Sequence, residues 1–188
     1  MNAALLTAWR LWDAIYYHCT RLAYVDKRNH NIFRVVVKKY RGKPLVAGGQ
    51  PVISNGDYYV KLHMHNCQLA LRMRGASGDM QLAIIALREV RNSLPALAEY
   101  VNNHPQAARI KGVVGTTILH RGARPLGFHI QQIDSHVFRS FKSLFFKLIL
   151  LLSHPNGFSR IRIKSDQLVA KRVFMSKEAL LQRFLRSR

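Results

Sequence analysis

The stretch Tyr58–His65 (YYVKLHMH) leaves the chain the least freedom, because its side chains alternate with a period of two. Tyr59, Lys61, His63 and His65 fall on one side, and Val60, Leu62 and Met64 on the other. That is the pattern of a strand buried on one face. Such a strand needs partner strands and a covering layer, because its apolar face must leave water. Candidate partners are Phe33–Tyr40 (FRVVVKKY), Lys111–His120 (KGVVGTTILH) and Gly127–Ile133, the last following a turn at Gly122–Pro125. Arg41–Pro44 and Gly48–Pro51 carry turn chemistry and predict a hairpin or a loop. Ser159–Ile163 and Val169–Met175 read as a basic hairpin.

Helical spacing lies between and around these strands. Ala3–Tyr24 places Leu5, Trp9, Trp12, Tyr16 and Cys19 on one face. Asn66–Arg74 is a short helix stopped by Gly75 and Gly78. Asp79 opens a longer one to about Asn103, which Pro95 is expected to bend or split. Asp134 or Ser135 caps a helix to Ser153, and Ser176 caps a final helix with Glu178 in its first turn. The expected fold class is α/β or α+β. One mixed-sheet domain spans 1–188, with an N-terminal amphipathic helix (1–24), a core (25–175) and a C-terminal helix (176–188).

Charge decides the kind of partner. The chain carries 30 Lys and Arg against nine Asp and Glu, a formal +21. Residues 139–188 hold twelve basic and two acidic groups, whereas 57–138 hold nine and five, so the excess sits toward the ends. A field of this size draws nucleic acid, anionic lipid or acidic ligands. With 48% hydrophobic residues the chain is no disordered basic tail. Cys19 and Cys67 form no CxxC or zinc pattern, which suits a reducing cytoplasm. No signal peptide or membrane span is read in the sequence.

The 134–153 helix points to one anionic surface in particular. Val137, Phe138, Phe141, Leu144, Phe145 and Leu148 share a broad apolar arc. Phe146 and Leu150 fall in the basic sector with Arg139, Lys142 and Lys147. Bulky apolar groups among cations suit a helix lying on an anionic bilayer, with Lys and Arg reaching phosphate. Arg139, Lys142, Phe146, Lys147 and Leu150 are therefore the expected membrane contacts, on the cytoplasmic inner face.

Chemistry is thinner. His63 and His65 point to the same side of a strand, and His120 ends another, so the three could hold a metal if their strands are neighbours. No cofactor is otherwise expected. Glu89 lies at the edge of an apolar helix face, as either the partner of a cation or a general base. Arg121 and Arg124, with Gly122 between them, could hold a phosphate. If the chain is an enzyme, His65, Glu89 and His120 are the acid/base candidates of a transferase or hydrolase on a glycolipid-type substrate. His63, Asn66, Arg88, Arg121 and Arg124 would then bind the ligand.

LHMHN (62–66), REVRNSLPAL (88–97), LHRGARPLGF (119–128) and HPNG (154–157) together resemble the YkoP-like domain family of bacteria, over about Trp9 to Phe184. The resemblance implies a link to polysaccharide deacetylases and to envelope polysaccharide or glycolipid metabolism. It marks His63, His65, Asn66, Arg88, Glu89, His120 and Arg121 as family-like polar positions. The leading expectation is a peripheral protein that binds or modifies an anionic lipid-linked saccharide or another phosphate-bearing ligand. The alternatives are a non-catalytic nucleic-acid-binding module, with bases stacking on strand aromatics, and a subunit that docks a partner through its apolar helix.

Overall fold

Period-two patterning is realised in a six-stranded mixed sheet. The computed structural model describes residues 22–26, 29, 31–73, 79–137, 139–144 and 169–185. In chain order the strands are β1 (Ala23–Tyr24), β2 (Phe33–Lys39), β3 (Leu45–Ala47), β4 (Gln50–Ile53), β5 (Tyr58–Met64), β6 (Ile110–Thr117), β7 (His129–Gln131) and β8 (Lys171–Ser176). The main sheet runs β1-β2-β5-β6-β8-β7, and only β5 and β6 are parallel neighbours. A parallel pair needs a long crossover. Here it is supplied by α1 (Asn66–Arg72) and α2 (Asp79–Asn103), with α3 (Lys177–Phe184) following β8.

The apolar set of each strand meets the helices. Phe33 and Val35 of β2, Val60 of β5, Val113 of β6 and Met175 of β8 pack with Leu94, Leu97, Ala98 and Val101 of α2 and Leu180 of α3. The α2 helix runs unbroken through Pro95, where the sequence suggests a bend or a split. Proline forfeits one hydrogen bond, and the buried face either side of it holds the helix together. Asn31 adds a tie from the loop before β2. Its Nδ2 donates to the Ser93 carbonyl at 3.0 Å, and the Ile32 N–H donates to Ser93 Oγ at 3.3 Å. Ser176 caps α3 as expected, accepting the Ala179 N–H.

The second face of the sheet is half covered. β3 and β4 form a hairpin whose turn residues Gly48 and Gly49 both have positive φ, +56° and +80°. A two-residue turn that matches strand twist demands that conformation, and glycine takes it without steric cost. Leu45 and Ile53 of the hairpin pack on Tyr40, Val114 and Phe174. Gln131 pins it to β7, accepting the Val46 N–H and donating to the Pro44 carbonyl.

Gly112 of β6 makes room for the β8 backbone on one side and for Ile53 of the hairpin above it. A Cβ there would overlap the Met175 carbonyl oxygen and press on Ile53 Cδ1 at 3.1 Å. Gly112→Ala is accordingly expected to cost about 2–3 kcal/mol in urea unfolding, because backbone must shift to admit the methyl group. A change below about 0.5 kcal/mol would show that β6 and β8 spread freely enough to admit the methyl group.

Several sequence expectations shift in detail. Ala23–Tyr24, expected as the end of the first helix, is a strand paired with Arg34 and Val35 of β2. The edge of β2 offers backbone partners there, and Arg34 stacks on the Tyr24 ring at 5.0 Å. β8 pairs with β6 and β7, while its expected hairpin partner 159–163 lies outside the described residues. So do the rest of the first helix (1–21), Phe146, Lys147, Leu150 and the HPNG stretch.

Candidate functional site

Alternation along β2 and β5 builds the site. Since Phe33, Val35 and Val60 face the helices, Arg34, Lys38, Tyr59, Lys61 and His63 stand on the opposite face. Pairing sets Arg34 directly across from His63, Val36 from Lys61 and Lys38 from Tyr59. Arg34 is buried at 3% exposure, Lys61 and His63 are half-buried and Lys38 is exposed. Tyr24 walls one side, with its ring 5.0 Å from the Arg34 guanidinium and 6.2 Å from the His65 ring.

The helical segment 139–144 closes over this face. Ser143 Oγ accepts the Ala170 N–H at 2.9 Å and donates to the Arg139 carbonyl at 2.7 Å, tying the segment to the start of β8. Lys142 turns inward and acts electrostatically on both Lys61 and His63. Burial pushes the His63 imidazole down to about 4, helped by Lys61, Lys142, Lys38 and Arg34, all positive. Burial likewise lowers Lys61, with Lys38 and Lys142 adding to the effect, and lowers Lys142. Desolvated like charges disfavour one another's protonation, so this face favours an anion.

The outer side of the same segment is apolar. Val137, Phe141 and Leu144 are 80%, 61% and 68% exposed. The sequence predicts contact through the basic sector, at Arg139, Lys142, Phe146, Lys147 and Leu150. Among the described residues Arg139 and Lys142 are half-buried and Val137, Phe141 and Leu144 are exposed, while Phe146, Lys147 and Leu150 lie outside the described residues. With Ser143 tied to Ala170, no described residue covers the Phe141 and Leu144 side of the segment.

The other predicted site residues sit in separate settings. His65 shares the face of His63, yet its Nδ1 accepts the Gln68 N–H as the N-cap of α1. Asn66 opens α1. Glu89, on α2, is ion-paired with Arg72 of α1, and Arg88 beside it is exposed. His120 begins the 3-10 turn His120–Leu126 that follows β6, with Arg121 and Arg124 exposed on that turn. Its imidazole is buried at 7% exposure. One nitrogen hydrogen-bonds the Ile118 backbone, while Nδ1 has no hydrogen-bond partner among the described residues. Burial, Lys171 and the neighbouring arginines lower its pKa.

No contact among the described residues joins His65, Glu89 and His120. Nor are three His, Cys, Asp or Glu side chains placed there to hold a metal. Among the described residues no helix is long and apolar enough to cross a membrane. Sequence reasoning missed Arg34, Lys38 and Lys61 as site residues. Their signal was present in the polar faces of two strands, and only the pairing of β2 with β5 was absent.

Fold and site together define a single α+β domain with a cationic sheet face beneath a basic, outwardly apolar helix. The YkoP domain family matches residues 2–184, and the chain belongs to that family. It is 33% identical over 180 residues, 96% of each chain, to a Bacillus subtilis (strain 168) protein described as uncharacterized protein YkoP. No solved structure matches it.

Proposed function

We propose that this protein is a peripheral membrane protein that holds an anionic, phosphate-bearing ligand at the bilayer surface. One observation carries the reading. Val137, Phe141 and Leu144 stand outward, while Lys142 of the segment 139–144 turns inward to Lys61 and His63. Exposed large apolar groups at this spacing are costly in water and suit the headgroup boundary. The surrounding positive charge suits anionic lipid, at roughly 1 kcal/mol per cation close to the surface. A phosphate at Lys61 and Lys142 would lie just beneath the apolar contact, where a lipid carries its own. A lipid-linked saccharide on the cytoplasmic face, handled alongside polysaccharide deacetylases of the envelope, is the ligand this reading favours.

The test is co-sedimentation with neutral and anionic vesicles, with duplex DNA as competitor. Retention on anionic vesicles should survive DNA and moderate salt. Phe141→Ser with Leu144→Ser should weaken it on the order of a hundredfold, since each side chain contributes roughly 1.5 kcal/mol on leaving water. Retention that the double variant leaves intact, or that DNA abolishes, would overturn the reading and favour a nucleic-acid-binding module. Against that module, Lys39 and Arg109 already stack on Tyr58, so the ring is occupied.

A further inference from the structure

We propose that the face bounded by Arg34, Lys38, Lys61 and His63 and closed by Lys142 is a binding site for a terminal phosphate, as a phosphomonoester or a diphosphate. That a lipid carries this phosphate rests on the membrane reading above; the site itself does not.

The register supplies the geometry. Side chains directly across β2 and β5 stand roughly 5 Å apart at Cβ, and same-face neighbours along a strand roughly 7 Å. Arg34 lies across from His63, Lys61 is the next same-face residue along β5, and Lys38 lies diagonally from Lys61. Two charge-assisted hydrogen bonds of about 2.8 Å to different oxygens of one phosphate fit donors at such separations. Lys142 comes from above, so the group would be held from two layers.

Burial separates this cluster from an ordinary solvated surface. A basic face that serves solubility keeps its charges in water, whereas here Arg34 is buried and Lys61, His63 and Lys142 are half-buried. A terminal phosphate carries about −1.5 to −2 at neutral pH, against one negative charge on a phosphodiester. The more negative group offsets more of the mutual repulsion. Its field also favours protonation of His63, which Lys61, Lys142, Lys38 and Arg34 otherwise oppose. Binding of the phosphate should therefore raise the protonated fraction of His63 at a given pH.

The closing experiment follows the imidazole nitrogens of the full-length protein by NMR during titration with pyrophosphate, methyl phosphate and dimethyl phosphate. His63 should shift saturably toward its protonated form with the first two, and at least tenfold more weakly with dimethyl phosphate. Lys61→Gln should reduce the affinity at least tenfold. Lys38→Gln, at an exposed position where folding is safe, should reduce it severalfold. In parallel, vesicles of equal surface charge containing phosphatidic acid or phosphatidylglycerol separate the two sources of phosphate. Preference for phosphatidic acid, lost in Lys61→Gln, supports the site and the lipid source together. A saturable His63 response with no retention on either vesicle supports the site and overturns the membrane reading. Equal response to mono- and diester, or a response at His120 in place of His63, overturns the proposal.

Discussion

Phe174→Ala is expected to lower the unfolding free energy by about 3–5 kcal/mol, more than any single change at the protein's surface. Phe174 is fully buried, and it lies on the face of β8 away from the long helix. It packs with Val114, Tyr40, Leu45 and Ile53, and the His129 ring sits 5.5 Å away. Loss of the ring leaves a cavity whose roof is the β3–β4 hairpin. That roof cannot readily collapse. Gln131 holds the hairpin to β7, and the Tyr40 hydroxyl donates to the Lys43 carbonyl while accepting from Arg172 at 2.7 Å. Against a typical domain stability of about 5–15 kcal/mol, the loss is roughly a fifth or more. Urea unfolding measures it. A loss under about 1 kcal/mol would mean that the hairpin slides inward and fills the space.

Acid should destabilise the protein through His63. Its folded-state pKa lies near 4, below the ordinary 6.5, so between those values the unfolded chain binds a proton that the folded one refuses. Stability therefore falls as pH drops from 6.5 to 4 and loses nothing further to this group below that. The full shift corresponds to about 3 kcal/mol, and about 2–3 kcal/mol once the solvent-facing part of the ring is allowed for. The check is unfolding at pH 7, 5.5 and 4 in the native protein and in His63→Gln. The variant should lack this part of the slope. A slope that persists unchanged would place the acid sensitivity elsewhere. Lys61 and Lys142 are lowered too, so their contribution to stability should grow as pH rises toward 10.

Much of the fold was legible because each element carries its own period. The alternation of Tyr58–His65 gave β5 and its two faces. Asp79 gave the start of the long helix, and Ser176 with Glu178 gave the cap of the last one. What local pattern cannot carry is pairing. Nothing in FRVVVKKY says that Arg34 will stand across from His63, a contact set by the register of two strands some thirty residues apart. The same gap explains Glu89, whose edge position fits both a base and an ion pair until α1 brings Arg72 to it. It explains the 139–144 segment as well. A helical wheel shows two sectors, and the tie from Ser143 to Ala170 fixes which one turns inward.

The main sheet ends in β1 on one side and β7 on the other, two and three residues long. Beyond β1, the open stretch of β2 carries Lys38 and Lys39. Among the described residues a second copy therefore finds little unpaired ladder to extend, and meets repulsion at Lys38 and Lys39. A protein crowded at high local density by attraction to a surface would otherwise risk zipping into fibrils. With both borders cut short and one of them charged, crowding should leave the copies as separate units.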